Sequence, residues 1–246
     1  MKLFLAGTSW FPELLDVSMT SPYILESYAY FEEWQKPLIT TSKMFLLDSG
    51  AFSIRQNSHK PNYERYLRDY IDFINANDIQ YFFELDIDNI IGYDKVKIYR
   101  KELENSTRKK CIPVWHPNRG KLDYEEMCDN YDYVSVGGIA GASLQVKRNY
   151  IQLFPALIKI AHQKNAKIHG LGCTSDRIVQ NYRFDSVDST SWTGGGRWGQ
   201  AYIFDGKHMQ TKKISREDKR IKDMQTLTMS NLQEWIKYQN YAERRL

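Results

Sequence analysis

The segment Phe184–Gln200, FDSVDSTSWTGGGRWGQ, runs from an apolar, β-prone stretch into an acid and then into a glycine-rich loop. Phe184–Val187 predicts a buried strand, Asp188 stands at its end, and Gly194–Gly196 predicts a flexible turn. A carboxylate at the end of a buried strand is well placed to face a ligand. The same pattern also describes an ordinary strand end with a solvated Asp. The rest of the chain has to decide between these two interpretations of Asp188.

Apolar or β-branched runs recur along the chain at intervals typical of β/α units. Several are apolar at successive positions, as expected for parallel strands covered on both faces. The eight runs are Leu3–Ala6, Phe45–Leu47, Ile79–Leu85, Cys111–Trp115, Tyr133–Val136, Ala166–Leu171, Phe184–Val187 and Ala201–Phe204. They predict an α/β fold, a (β/α)8 TIM barrel, with a doubly wound open sheet as the alternative. Because the last run is followed by DGKHMQTKK, a pattern more typical of a hairpin, closure of the barrel stays open.

Apolar residues at three- and four-residue spacing predict helices between these runs, at Tyr63–Ile74, Asp94–Leu103, Tyr150–Ala161 and Ser175–Tyr182. Pro155 is expected to bend or restart the third of them. Residues 215–245 predict a C-terminal helical extension of one or two helices, with buried contacts at Leu227, Leu232, Trp235 and Ile236. Since no repeat or linker interrupts the pattern, residues 1–246 are assigned to one domain.

The composition, with 42% hydrophobic and 26% charged residues, is typical of a soluble globular protein. No apolar run is long enough for a membrane span or for the core of a signal peptide. Three widely spaced cysteines, without a C-x-x-C pair, argue against disulfides and against a Cys-based zinc site. We therefore expect a cytoplasmic protein without membrane contact.

The formal charge of +4 is concentrated near the C-terminus, where residues 205–246 contain ten Lys or Arg against six Asp or Glu. Such a segment, which includes Lys212 and Lys213, indicates a polyanionic partner. A solvated helix face is the alternative interpretation.

Polar residues and glycines follow six of the predicted strands, where a barrel has its active face. They include Asp48, Ser49, Asp86, Asp88, Trp115, His116, Gly137, Gly138, His169 and Asp188. Each has a plain structural alternative: Asp48 as a helix N-cap, Asp86 and Asp88 as a solvated loop, His169 as a core histidine. Asp86 and Asp88 could also ligate a divalent cation. Trp192 and Trp198 suit either the core or stacking on nucleic-acid bases.

Three motifs resemble those of the tRNA-guanine transglycosylases and occur in that family's order. They are DSGAF at Asp48–Phe52, SVGGIAG at Ser135–Gly141, and Phe184–Gln200 without a gap. The resemblance spans about Phe45 to Gly206. It implies a TIM barrel that exchanges guanine for a 7-deazaguanine base such as preQ0, with no cofactor and no metal in the reaction.

By this resemblance Asp188 is the nucleophile that forms a covalent glycosyl intermediate, and Asp48 is the general acid/base. The candidate base-binding residues are Ser49, Phe52, Asp86, Asp88, Trp115, His116, Gly137, Gly138, Ile139 and His169. The candidate nucleic-acid contacts are Trp192, Arg197, Trp198, Lys212 and Lys213. Two carboxylates suit displacement of a base at C1′, because one can trap the oxocarbenium-like transition state and the other can move the proton.

Two departures from the family pattern bear on the substrate. Trp115 or His116 stands where the family carries a base-contacting Gln, which leaves selectivity for the base open. The family's Cys-x-Cys-x-x-Cys plus His zinc site is missing, since no Cys follows Cys173. A compact, zinc-free relative resembles the branch that inserts 7-deazaguanines into DNA. The sequence therefore favours DNA as the partner, with tRNA as the alternative.

Other functions stay open at this point. A nucleosidase or DNA glycosylase would use water in place of the incoming base, and a nucleic-acid-binding barrel would use neither. The sequence does not define the oligomeric state, a homodimer included.

Overall fold

The computed structural model describes residues 1–51, 62–138, 143–195, 199–213 and 224–246. Seven parallel strands form one sheet: β1 (Lys2–Ala6), β2 (Tyr23–Ser27), β3 (Met44–Asp48), β4 (Val114–Trp115), β5 (Tyr133–Val136), β6 (Lys167–Gly170) and β7 (Ser186–Ser189). They are hydrogen-bonded in the order β3-β2-β1-β7-β6-β5-β4. Since all neighbours are parallel, the carboxyl ends of all seven strands lie at one edge.

The segment Tyr81–Glu84 joins the two edge strands of this sheet. Leu47 of β3 exchanges two backbone hydrogen bonds with it, at 2.9 and 3.0 Å. Ile112, just ahead of β4, exchanges two more with it, at 2.8 and 3.1 Å. The resulting parallel bridges, Leu47–Phe82 and Phe83–Ile112, continue the hydrogen bonding from β3 round to β4. The sheet is therefore curled into a TIM-barrel-like form.

One predicted strand was wrong in its role and one strand was missed. Ala201–Phe204 belongs to β8 (Gln200–Phe204), which pairs antiparallel with β9 (Met209–Lys213) in a separate two-stranded sheet. The interpretation of that region as a hairpin is thus confirmed. The place in the main sheet belongs instead to β2, whose sequence YILES ends in two polar residues and so lacks a long apolar run.

The described helices are α1 (Leu15–Ser18), α2 (Lys36–Thr41), α3 (Tyr63–Ala76), α4 (Asp88–Ile91), α5 (Tyr93–Thr107), α6 (Gly120–Asn130), α7 (Leu144–Ile151), α8 (Phe154–Gln163), α9 (Asp176–Asn181) and α10 (Met224–Arg245). Pro155 lies in the first turn of α8, where its missing N–H costs no helical hydrogen bond. It therefore restarts the predicted helix, as expected. Among the helices of the described ranges, none has the length and apolar character of a membrane span.

Two apolar clusters separate the inside of the curled sheet from its outside. The inner cluster comprises Phe4, Ala6, Tyr23, Leu25, Met44, Leu46, Phe83, Ile112 and Val114. Val187 and Ile168 belong to the outer cluster, which packs against the helices. Because successive strand residues point to opposite faces, Asp48, His169 and Asp188 share the inner face. Strand periodicity thus aims these three side chains into the same space.

Helix α10 docks against the strands and ties the two ends of the chain together. The Gln239 side-chain amide donates to the backbone oxygens of Leu3 and Tyr23, both at 2.7 Å. Leu227, Leu232 and Trp235 of this helix are buried, and Ile236 is partly buried against the core, as predicted. Residues 224–246 are therefore a packed element of the fold.

Candidate active site

Asp188 ends β7 on the inner face and is held by one of its two carboxylate oxygens. His169 Nε2 lies 3.1 Å from Oδ1, and the Gly172 backbone N–H donates to the same oxygen at 3.0 Å. The residue is 8% exposed. No hydrogen bond from the part of the chain that the structure describes reaches Oδ2. Among the described residues, Oδ2 is therefore the carboxylate oxygen without a protein partner.

His169 lies on β6 directly beneath Asp188 and is completely buried. Its Nδ1 atom is 2.6 Å from Ser186 Oγ, and that hydroxyl is hydrogen-bonded to the Tyr133 hydroxyl. Phe4, Phe83 and Tyr133 surround the imidazole with their rings. His169 was predicted either to bind a base or to be a core histidine. Its ring is enclosed by the core and both of its nitrogens have protein partners, which favours the second interpretation.

Asp48 ends β3 on the same inner face and is partly exposed to solvent. Burial raises the pKa of its carboxyl to about 6, and the negative charges of Asp188 and Asp86 add to that rise. The Gly50 N–H, which donates to Oδ2 at 3.0 Å, opposes it. A carboxyl with this pKa exchanges protons readily near neutral pH, as a general acid/base requires.

Asp86 and His116 form a buried pair on the side of the site that faces β4 and β5. His116 Nε2 lies 2.7 and 2.9 Å from the two carboxylate oxygens of Asp86. A Cβ atom on Gly137 would fall 2.9 Å from His116 Cε1, and one on Gly138 would fall 3.2 Å from Nδ1. Only glycines at these positions let the loop after β5 approach the imidazole so closely.

Arg119 has a buried guanidinium at this site and was not among the residues predicted from the sequence. Its guanidinium donates to Asp88 Oδ2 at 3.0 and 3.2 Å and to the Val114 backbone oxygen at 2.5 Å. It also lies 3.9 Å from the centre of the Tyr93 ring. The only signal in the sequence is its position three residues after His116, where the turn Pro117–Arg119 folds it back.

The divalent-cation alternative for the acidic loop has a geometric basis. Asp86, Asp88 and His116 each offer a ligand atom, and the three atoms lie within 4.8 Å of one another. The contacts to His116 and Arg119 satisfy the same carboxylates without an ion. Of these two acids, Asp86 is the one whose charge contributes to the raised pKa of Asp48.

Two tryptophans predicted as ligand contacts belong to the core. Trp115 is buried, donates from Nε1 to the Gly120 oxygen at 2.9 Å, and packs against Tyr124. Trp192 is completely buried and donates from Nε1 to the Ala6 oxygen at 2.8 Å. Neither indole can stack on a base, because the surrounding protein covers it. Between Trp115 and His116, the structure places His116 at the site.

The remaining predicted residues divide into three groups. Ser49 is buried next to Asp48, and its hydroxyl has no hydrogen-bond partner among the described residues. Lys212 and Lys213 are exposed on β9. Phe52, Ile139, Arg197 and Trp198 lie outside the described residues.

Fold and site together define a TIM-barrel-like α/β protein with acidic and imidazole side chains gathered at the carboxyl ends of its strands. No protein-family model matches the chain, and no curated protein matches it.

Similar solved structures include the carboxyl transferase domain of Rhizobium etli pyruvate carboxylase with 3-bromopyruvate. It is 12% identical over 98% of this chain and 48% of that chain, with a TM-score of 0.49. The same domain with 3-hydroxypyruvate is 12% identical over 98% of this chain and 40% of that chain, with a TM-score of 0.44. This chain therefore spans less than half the length of those structures.

A GH113 β-1,4-mannanase is also similar, at 12% identity over 73% of this chain and 75% of that chain, with a TM-score of 0.38. Likenesses this weak carry no functional argument. The fold assignment rests on the strand order and on the hydrogen bonds between the strands.

Proposed function

We propose that this protein is a DNA-guanine transglycosylase that exchanges guanine in DNA for a 7-deazaguanine base. One observation carries the proposal: Asp188 and Asp48 share the inner face at the strand ends, and the charge of Asp188 raises the pKa of Asp48. One carboxylate is positioned as a nucleophile, with an oxygen that no described residue hydrogen-bonds, and the other is suited to proton transfer. The seven strands and the bridging segment Tyr81–Glu84 then act as a (β/α)8 barrel with a C-terminal helical extension.

In the first half-reaction Asp188 Oδ2 attacks C1′ of the deoxyguanosine as the C1′–N9 bond breaks. The electron pair of that bond passes to guanine, and the protonated Asp48 carboxyl supplies a proton to the departing base. The products are a glycosyl ester on Asp188, neutral guanine and an ionised Asp48. The ester stores the sugar while the bases exchange.

In the second half-reaction the incoming 7-deazaguanine gives its N9 proton to the Asp48 carboxylate. N9 then attacks C1′, and the bond from C1′ to Asp188 breaks, which restores the free carboxylate. Two displacements at one carbon retain its configuration. Because one N-glycosidic bond replaces another, no nucleotide cofactor is needed.

The edge of the base is assigned to Asp86 and His116, with Gly137 and Gly138 alongside. A carboxylate accepts hydrogen bonds from the guanine N1–H and amino group. Asp86 is preferred to Asp88 for this role because the charge of Asp86 contributes to the raised pKa of Asp48. The choice of DNA over tRNA follows the resemblance of residues 174–246, which contain no Cys, to the branch that acts on DNA. The exposed lysines of β9 suit either nucleic acid. The target base has to be flipped out of a duplex or met in a single strand before Asp188 can reach its sugar.

Incubation of the protein with labelled preQ0 and either DNA or tRNA, followed by nucleoside mass spectrometry, tests the proposal. We expect label in DNA with wild-type protein and at least a 10³-fold lower rate with Asp188→Asn, because the amide is a poor nucleophile. Asp132→Asn, which removes an exposed carboxylate at the opposite end of β5, serves as the matched control and should retain full activity.

Three outcomes would contradict parts of the proposal. An active Asp188→Asn protein would remove the mechanism. Label entering only tRNA would change the substrate. Abasic sites without incorporation would show that water replaces the incoming base, as in a glycosylase.

A further inference from the structure

Tyr133, Ser186, His169 and Asp188 form a chain of hydrogen bonds that runs through the inside of the sheet to the candidate nucleophile. Consecutive members are in contact: the Tyr133 hydroxyl with Ser186 Oγ, Ser186 Oγ with His169 Nδ1 at 2.6 Å, and His169 Nε2 with Asp188 Oδ1 at 3.1 Å. Ser186 and His169 are completely buried. Polar groups in such a position have to satisfy one another, because water does not reach them.

The chemistry of the groups gives this chain a direction. An ionised carboxylate only accepts hydrogen bonds, so Nε2 has to carry the proton of the imidazole. In a neutral ring Nδ1 is then an acceptor, and the Ser186 hydroxyl donates to it. The oxygen of Ser186 is left to accept from Tyr133. Burial raises the pKa of the Tyr133 hydroxyl, which therefore keeps the proton that it donates.

We infer that His169 is a positioning residue for the nucleophile Asp188, held as the Nε2–H tautomer by the Ser186–Tyr133 hydroxyl pair behind it. This inference rests on the proposed function for its effect on rate, though not for the tautomer itself. The Nε2–H and the Gly172 N–H both donate to Oδ1, which restricts rotation of the carboxylate. Oδ2, which no described residue hydrogen-bonds, is then the oxygen that attacks C1′ in the proposed reaction. No proton is transferred by His169 in this role.

The same bonds should matter most when Asp188 becomes a leaving group. In the glycosyl ester Oδ1 is a neutral carbonyl oxygen, whereas breakdown of the ester restores a negative charge to the carboxylate. Hydrogen bonds to a charged acceptor are stronger than bonds to a neutral one. His169 therefore stabilises the transition states in which this charge is present, and we expect its loss to lower kcat rather than raise KM.

The tautomer is tested first, in the free protein, by 15N NMR of imidazole-labelled histidine. The chain has five histidines, and the resonances missing from a His169→Gln spectrum identify those of His169. We expect Nε2 protonated and Nδ1 unprotonated. In Ser186→Ala, which removes the donor to Nδ1, we expect a mixture of tautomers. Protonation of Nδ1 in the wild-type protein overturns the inference, whether or not base exchange is detected.

Kinetics test the effect on the nucleophile. His169→Gln keeps an N–H donor near the Nε2 position, whereas His169→Met has a similar volume without a donor. We expect kcat to fall about 10²- to 10³-fold for His169→Met and clearly less for His169→Gln, with KM nearly unchanged in both. A merely structural role predicts that the apolar methionine is tolerated at least as well, so an equal or reversed order overturns the inference.

A milder variant covers the case in which neither replacement folds. Tyr133→Phe removes the hydroxyl that lies farthest from Asp188 in the series of hydrogen bonds. We expect a several-fold lower kcat together with loss of the single tautomer of His169. Tyr124→Phe is the matched control, since its buried hydroxyl donates to the Leu157 oxygen outside the site. Unchanged kcat and an unchanged tautomer in Tyr133→Phe overturn the role of the hydroxyl pair. Absence of exchange in the wild-type protein contradicts the proposed function and leaves the NMR result to decide on the tautomer.

Discussion

Asp48 combines two properties that oppose each other, since its raised pKa suits proton transfer but costs folding free energy. Its pKa is about 6 in the folded protein against an ordinary value of 3.8. Because the folded-state pKa is the higher one, the native protein disfavours the ionised form. The free energy of unfolding therefore falls as the pH rises from about 4 through about 6, and the whole penalty is present above neutral pH.

We expect Asp48→Asn to stabilise the protein at pH 7.5 while it abolishes proton transfer. The gain should be about 1–3 kcal/mol, because a pKa of about 6 in place of 3.8 corresponds to that order of free energy. At pH 3 Asp48 is protonated in the folded protein and largely protonated in the unfolded chain, so the difference in Tm between the two proteins should nearly vanish.

Thermal unfolding at both pH values measures the effect of Asp48→Asn. Asp132→Asn, at an exposed carboxylate, should show no such pH-dependent difference. An Asp48→Asn protein that is less stable than wild type at pH 7.5 would contradict the assignment of the raised pKa to burial and to the neighbouring acids.

At the residue scale, the sequence indicates which side chains lie at the same end of the sheet. It does not indicate which hydrogen-bond partner each side chain has. Asp48 and Asp188 were predicted because both follow apolar runs, and parallel strands bring such ends together. A lone His within a strand does not reveal which neighbours it has, so His169 was assigned to the ligand instead of to Asp188. Arg119 was missed because its partner Asp88 lies 31 residues away in the sequence, and no local sequence pattern predicts that contact.

At the scale of elements, α10 stabilises the loop that carries the glycines. The completely buried Asn231 amide donates to the Trp192 and Gln200 oxygens at 3.3 and 2.9 Å, and its own oxygen accepts from the Tyr202 N–H at 2.9 Å. A Cβ atom on Gly195 would lie 2.9 Å from the Asn231 nitrogen. The helix and the glycine loop are therefore fitted to each other.

Asn231→Ala is expected to lower the free energy of unfolding by about 2–4 kcal/mol, because it leaves buried backbone groups without partners. It should also reduce base exchange, since the segment after Asp188 loses its support. Asn240→Ala is the control on the same helix, where the amide bonds only to the preceding turn at Ile236. Chemical denaturation and the exchange assay measure both effects, and equal behaviour of the two variants would show that the contact has no special role.

The sequence predicted the helical character of this C-terminal region and its buried residues, because an amphipathic period is a local property. It did not reveal where the helix docks. Contacts such as Asn231 to Trp192 join positions far apart in the chain. The basic charge of the region therefore suggested a nucleic-acid tail, whereas residues 224–246 are a packed helix.

At the scale of the whole molecule, the α/β class was predicted, but eight strands were expected and the described main sheet has seven. β2 was missed, and the β8 run was counted in its place. Tyr81–Glu84, by contrast, was predicted as a full strand within Ile79–Leu85, although only Phe82 and Phe83 make bridges to neighbouring strands. Apolar runs reveal burial, and whether a buried run pairs with the main sheet depends on partners elsewhere.

The distribution of charge over the molecule yields a test of the partner. Lys212 and Lys213 are exposed on the hairpin, so replacing both with Ala should weaken DNA binding and flatten the dependence of log K on log salt by about 1–2. Lys101→Ala with Lys159→Ala, at exposed positions on outer helices, is the matched control. Fluorescence anisotropy over a salt series measures the slopes, and identical slopes for all proteins would remove these lysines from the nucleic-acid interface.

The apolar inner cluster has a consequence for how a ligand enters and leaves the site. Phe4, Leu25, Leu46, Phe83 and their neighbours pack on the inner face below the strand ends that carry the acids. Among the described residues, this packing closes the approach to Asp188 from inside the sheet and leaves the approach from the strand ends. A small molecule that enters from the strand ends to reach Asp188 is then expected to leave in the same direction. For a base-exchanging enzyme this predicts an ordered reaction in which guanine is released before the incoming base binds. Guanine and the 7-deazaguanine would then compete for the same base-binding position. The glycosyl ester on Asp188 would persist between release of one base and binding of the other.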